Sequence, residues 1–229
     1  MSAKKHLTAV LDAERALRVA EADLLSEPEA DVIAALEAAV HEAKALDDPD
    51  EAGLRLERLS DLCAQVPGPR MADALIAILD HDEPRVRVAA GEALLDVAYD
   101  YYAEVARGID RCLDDGRAVR ALAELPFLLA EVGEPSATPL LRRFLAHPDA
   151  TVVAAAIEAA VQLGDPELAR SLADLATDER EVSEEDFEEE TGATIGDLAT
   201  DALEALGGKP EPAGRFDQGL GRAPKGRGR

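Results

Sequence analysis

Aromatic residues are scarce in this chain. They make up 3% of its 229 residues, with no Trp, four Phe and three Tyr. A core of that composition must be filled by aliphatic side chains rather than large rings. β-Branched runs are few, which argues against a sheet. No apolar stretch approaches the roughly 18 residues a membrane-spanning helix needs, so no span is expected. The opening Met1-Ser2-Ala3-Lys4-Lys5-His6 lacks the apolar core of a signal peptide. Cysteine is limited to Cys63 and Cys112, each without a nearby Cys or His in the sequence. They read as reduced, buried thiols, and the chain as cytoplasmic.

Positive charge is also in short supply. Lys and Arg number 24 against 48 Asp and Glu, a net charge of −24. Such a body repels a nucleic acid, whose binding depends on cations that neutralise phosphates. The shortage is uneven, however. Residues 208–229 hold six basic and two acidic residues, a net of +4. The preceding 207 residues hold 18 basic and 46 acidic ones, a net of −28.

What is abundant is Ala and Leu, both strong helix formers. Their arrangement repeats. Residues 74–98 match residues 140–164 at a constant offset of 66. Leu75 falls on Leu141, Ile78 on Phe144, Leu79 on Leu145, Val86 on Val152, and Ala89, Ala90 and Ala93 on Ala155, Ala156 and Ala159. Half of that offset places another copy between them, at Ile109, Leu113, Val119, Leu122, Ala123 and Phe127 after a one-residue slip. A last copy lies 43 residues beyond the 140–164 unit, where Ile195 falls on Val152, Ala199 on Ala156 and Ala202 on Ala159. Its extra ten residues coincide with the acidic stretch Asp178–Glu190.

Each unit reads as a helix, a polar turn with Pro or Asp, and an Ala-rich second helix. Gly133, Gly164 and Gly207 follow helix ends, where a left-handed cap favours glycine. One unit cannot bury its apolar face alone, so the units must stack. The pattern predicts repeats at about 31–67, 69–98, 104–132, 137–164 and 167–207, with the insertion at 178–190. An extra helix over 3–25 precedes them and a flexible Gly/Pro/Arg-rich tail over 208–229 follows. Pro126 falls inside a second helix, where a kink or a split is expected.

The segment Leu75–Leu94, with Asp82 in its turn and Val86-Arg87 leading into Ala89-Ala90, resembles a HEAT repeat of the bacterial, phycobilin-lyase-like type. The resemblance covers about 31–207. It implies an all-α solenoid of four to five helical hairpins, an α-α superhelix with second helices lining the concave face. It also implies an Asp–Arg ladder between repeats, for which only Asp82 with Arg85 or Arg87 supplies both members here. HEAT-like proteins include adaptors, chaperone-like factors and a few enzymes, so the resemblance speaks to fold rather than to activity.

Signs of chemistry are sparse. The four histidines are His6, His41, His81 and His147. HEAT-like metalloenzymes such as deoxyhypusine hydroxylase use repeated His-Glu pairs, whereas only His41-Glu42 occurs here. His81 and His147 read as solvated turn residues. No nucleophile elbow and no phosphate-binding glycine loop is present. No catalytic residue, metal site or cofactor is expected.

Four features could bind a partner, the first of them also readable as a solvated loop. The insertion places Glu184, Glu185, Asp186, Phe187, Glu188 and Glu189 together, acids around one apolar anchor. Tyr99, Tyr101 and Tyr102, all the tyrosines of the chain, fall at a hinge between repeats, where they read first as inter-repeat packing and second as a recognition patch. Glu92, Asp96, Glu124 and Glu158 fall on solvent-side positions of second helices. The tail adds Arg222, Lys225, Arg227 and Arg229. It reads as a solubilising end, a weak nucleic-acid contact, or a segment that folds back on the acidic body.

These features point to a non-catalytic scaffold or adaptor for a basic or amphipathic protein segment. The alternatives are a lyase- or chaperone-like factor, suggested by repeat type alone, and weak nucleic-acid contact through the tail.

Overall fold

The computed structural model describes residues 3–182 and 192–207. Among them the chain is all-α, and its helices alternate with short turns. The elements are α1 (Ala3–Leu25), α2 (Glu29–Lys44), α3 (Pro49–Ala64), α4 (Pro69–Leu79), α5 (Pro84–Asp115), α6 (Val119–Val132), α7 (Ala137–Leu145), α8 (Ala150–Leu163), α9 (Ala169–Leu175) and α10 (Ile195–Ala205). A single 3-10 turn, Pro166–Leu168, leads into α9.

Helix starts are set by local chemistry. Pro49, Pro69 and Pro84 occupy the first turns of α3, α4 and α5, where a missing N–H costs nothing. Asp149 caps α8 by accepting from the amides of Thr151 at 2.9 Å and Val152 at 3.3 Å. Thr194 and Asp197 form a reciprocal capping box on α10. Gly133 and Gly164 end α6 and α8 with φ of 67° and 69°, a region that side chains avoid.

Two layers result. The helices α3, the first half of α5, α6, α8 and α10 stack in that order as second helices. The helices α2, α4, the second half of α5, α7 and α9 pack behind them. One continuous core runs between the layers, from Val32, Leu36 and Leu56 at one end to Leu172, Ile195 and Leu203 at the other. The 66-residue register lies within it. Leu75 and Leu141, Val86 and Val152, and Ala90 and Ala156 are all fully buried.

Helix α5 belongs to both layers. The chain stays helical where one unit passes to the next, and the backbone breaks only at Tyr101, with φ −131° and ψ 40°. Of the kink or split expected at Pro126, the split is absent. Helix α6 runs unbroken through it. Pro126 is buried, flanked by the buried Leu122, Leu125 and Leu129, so packing on both sides holds the turn that proline weakens.

Two further expectations are corrected. His147 is not solvated, and His81 is so only in part. His147 is buried, and its Nδ1 accepts the Asp149 amide at 3.1 Å. His81 is half-buried and does the same for the Glu83 amide, also at 3.1 Å. Both imidazoles close the turn that starts their second helix. The Asp–Arg ladder between repeats also draws on an arginine other than Arg85 or Arg87. Arg120 meets Asp82 at 2.8 Å, and Arg180 donates to the carbonyls of His147 at 3.1 Å and Pro148 at 2.7 Å. Different residues thus bridge two of the junctions between units.

Helix α1 stands apart. None of its residues is buried, and Leu7, Val10, Leu11 and Val19 are exposed. It meets the stack at its C-terminal end, where Leu24 and Leu25 pack on the core and Glu21 pairs with Arg58.

Candidate functional site

The arginines of the two layers are used differently. Across the outer layer, Arg70 pairs with Glu37, Arg111 with Asp73 at 2.7 Å, Arg143 with Asp110 and Asp114, and Arg142 with Glu167 at 2.9 Å. These exposed pairs each contribute little stability, on the order of 0–1 kcal/mol. They do neutralise much of the charge on that side.

The second-helix side is not balanced. Three hollows lie along it, of about 590, 470 and 500 Å³. The first lies between α3 and α5, the second between α5 and α6, and the third between α8 and α10. Glu92 lines the first two and Gln162 the last two, so they run on from one another as one groove. Nine carboxylates and two guanidiniums line it. Both guanidiniums are engaged. Arg58 pairs with Glu21 and, at 3.0 Å, with Asp61. Arg87 pairs with Glu124 at 3.5 Å and donates to the Asp82 carbonyl at 2.9 Å.

The repeat builds this surface. Glu92, Glu124, Glu158 and Asp201 occupy equivalent places on four successive second helices. The residue two before each (Ala90, Leu122, Ala156, Ala199) is buried, and so is the residue just after (Ala93, Leu125, Ala159, Ala202). Each carboxylate is thereby held at the rim by a helix that cannot rotate without exposing its core face. Three residues beyond the first three come Leu95, Phe127 and Val161, which line the floor. Val88 adds an apolar side chain that is 59% exposed. The groove thus offers regularly spaced negative charge over an apolar floor.

Of the residues singled out in the sequence, Glu92, Asp96, Glu124, Glu158 and Tyr101 come together here. Tyr99 is exposed outside the hollows, and Tyr102 is half-buried against the core, where burial pushes its phenol up. Glu184, Glu185, Asp186, Phe187, Glu188 and Glu189 lie outside the described residues, as do Arg222, Lys225, Arg227 and Arg229. The two ends of the insertion are held together, with Val182 donating to Ala193 at 3.3 Å and Ile195 to Arg180 at 2.9 Å. The sequence missed Asp201 and the apolar floor. Asp201 was findable as the partner of Glu158 at the 43-residue offset, whereas the exposure of Val88 and Val161 depends on neighbouring helices.

Among the described residues, no group of three or more His, Cys, Asp or Glu is arranged to hold a metal ion. No helix among them is long and apolar enough to cross a membrane.

A family model for HEAT repeats matches residues 114–185. This part of the chain carries HEAT repeats. The match runs from the end of α5 into the acidic insertion and so includes Glu124, Phe127, Glu158 and Val161. HEAT repeats are in general protein-interaction scaffolds. No curated protein matches the chain. In this stack the groove is the surface that successive second helices leave open.

Proposed function

We propose that this HEAT array is a non-catalytic scaffold that takes a basic, amphipathic protein segment along its second-helix groove. The observation that carries this reading is the row Glu92, Glu124, Glu158 and Asp201 beside the apolar Leu95, Phe127 and Val161, with both neighbouring guanidiniums already paired. A segment with apolar residues on one side and Lys or Arg on the other satisfies floor and rim together. Opposed charge also steers the encounter and selects against acidic competitors.

The test is a titration with a synthetic cationic amphipathic helix. Affinity is expected to fall steeply between about 0.1 M and about 1 M salt, as the screening length drops from about 10 Å to about 3 Å. Replacing Glu92, Glu124 and Glu158 with Gln is expected to weaken binding about tenfold. Affinity indifferent to salt and to these three changes overturns the reading.

A further inference from the structure

The chain leaves its stack at one end of the groove. Leu198, Asp201, Ala202 and Ala205 of α10 line the last hollow, and residues 208–229 follow directly after Gly207. Those 22 residues carry six basic and two acidic groups. They also hold two apolar residues, Phe216 and Leu220, between Arg215 and Arg222. Cations flanking apolar anchors are what the groove fits.

Reach is sufficient. Twenty-two residues extend to about 70 Å at ~3.3 Å each. Neighbouring helices pack ~8–10 Å apart, so the four carboxylate rungs span about 30 Å. Tethering also raises the local concentration to the millimolar range, enough to populate a contact that would be weak between separate molecules. Nine carboxylates face only two paired guanidiniums in the groove, so a +4 segment leaves it acidic and displaceable by a more basic one.

We infer that residues 208–229 occupy the second-helix groove of their own chain and compete there with an incoming basic partner. This inference rests on the groove being a surface for cationic segments. It makes the tail a built-in threshold: segments less basic than the tail are excluded, and more basic ones displace it.

The experiment compares the full chain with a full-length variant carrying Lys209→Gln, Arg215→Gln, Arg222→Gln, Lys225→Gln, Arg227→Gln and Arg229→Gln. Amide NMR spectra are recorded at low and high salt, and a fluorescent cationic amphipathic peptide is titrated into both chains. The expected result is spectral differences at Glu92, Glu124, Phe127, Val161 and Asp201 that vanish in about 1 M salt, with the peptide binding the variant about tenfold more tightly. Spectra that superimpose outside the tail, or equal peptide affinity for the two chains, overturn the inference. Differences that appear only as protein concentration rises also overturn it, since the occupant would then come from a second copy. If the peptide binds the variant without any spectral difference, the groove reading stands and the tail inference falls. If it binds neither chain, both fall.

Discussion

Arg87 and Glu124 face each other across the middle of the groove at 3.5 Å. The same guanidinium donates to the carbonyls of Asp82 at 2.9 Å and His81 at 3.3 Å. It therefore ties the turn before α5 and masks one carboxylate rung. Arg87→Gln removes both effects. Stability is expected to fall by about 1 kcal/mol through the lost hydrogen bonds. In a chain whose tail charges are neutralised, a cationic peptide should bind roughly threefold more tightly, because Glu124 is released. Weaker peptide binding would contradict the assignment of Arg87 as a masking residue.

Asp80 supplies a cap to a helix forty residues further on. Its Oδ1 accepts from the amides of Arg120 at 3.1 Å and Ala121 at 3.3 Å, in the first turn of α6. The residue at the cap position itself, Ala118, has no side-chain oxygen to offer. Asp80→Ala is expected to cost about 1 kcal/mol in urea denaturation, and Asp80→Asn less, because the amide oxygen still accepts. Equal losses for the two variants would point to charge rather than capping.

Gly196 lies where the ends of the acidic insertion meet α10. A Cβ there would stand 2.9 Å from the Ala176 carbonyl oxygen and 3.1 Å from that of Asp178. Backbone cannot move aside as a side chain can, so Gly196→Ala is expected to cost about 1–3 kcal/mol. The Arg180 side chain, bonded to Asp178, holds that carboxyl below its usual range. A carboxyl lowered in the fold adds stability above its unfolded pKa of about 3.9 and loses it as pH falls through the folded value. Replacing Asp178 with Asn should therefore flatten the acid limb of the stability curve, and an unchanged acid limb would count against the pair.

Burial, with Glu37 adding to it, pushes the Cys63 thiol up to about 12. Cys112 is less enclosed, and burial, reinforced by Asp80, Asp115 and Asp73, pushes it up to about 11. The thiolate is the reactive form, so both are protonated and slow at pH near 8. Alkylation of the native chain is expected to be slow, with Cys112 reacting before Cys63, and fast at both in denaturant. Rapid native labelling of Cys63 would mean that the α3 layer opens readily.

Much of this fold was legible because a repeat states its register several times. The 66-residue offset placed Leu75 with Leu141 and Val86 with Val152, and each of these four is buried. The same period put Glu92, Glu124 and Glu158 on the open side of their helices. Other features were hidden for physical reasons. A local pattern does not distinguish a loop from a helix kinked at Tyr101. At Pro126, packing by Leu122, Leu125 and Leu129 outweighs the local penalty of proline. His81 and His147 look like polar turn residues until their Nδ1 atoms are seen to accept amides two residues on. The groove itself arises from the spacing of neighbouring second helices, and no single helix encodes it.

The central claim is that this groove receives a cationic amphipathic segment. Its most direct test is an amide NMR footprint of such a peptide on the full-length chain with its tail charges neutralised. The predicted footprint follows the second helices through Glu92, Glu124, Phe127, Glu158, Val161 and Asp201 and fades with added salt. A footprint on the outer helices α2, α4 and α7, or no footprint at any peptide concentration, would contradict it.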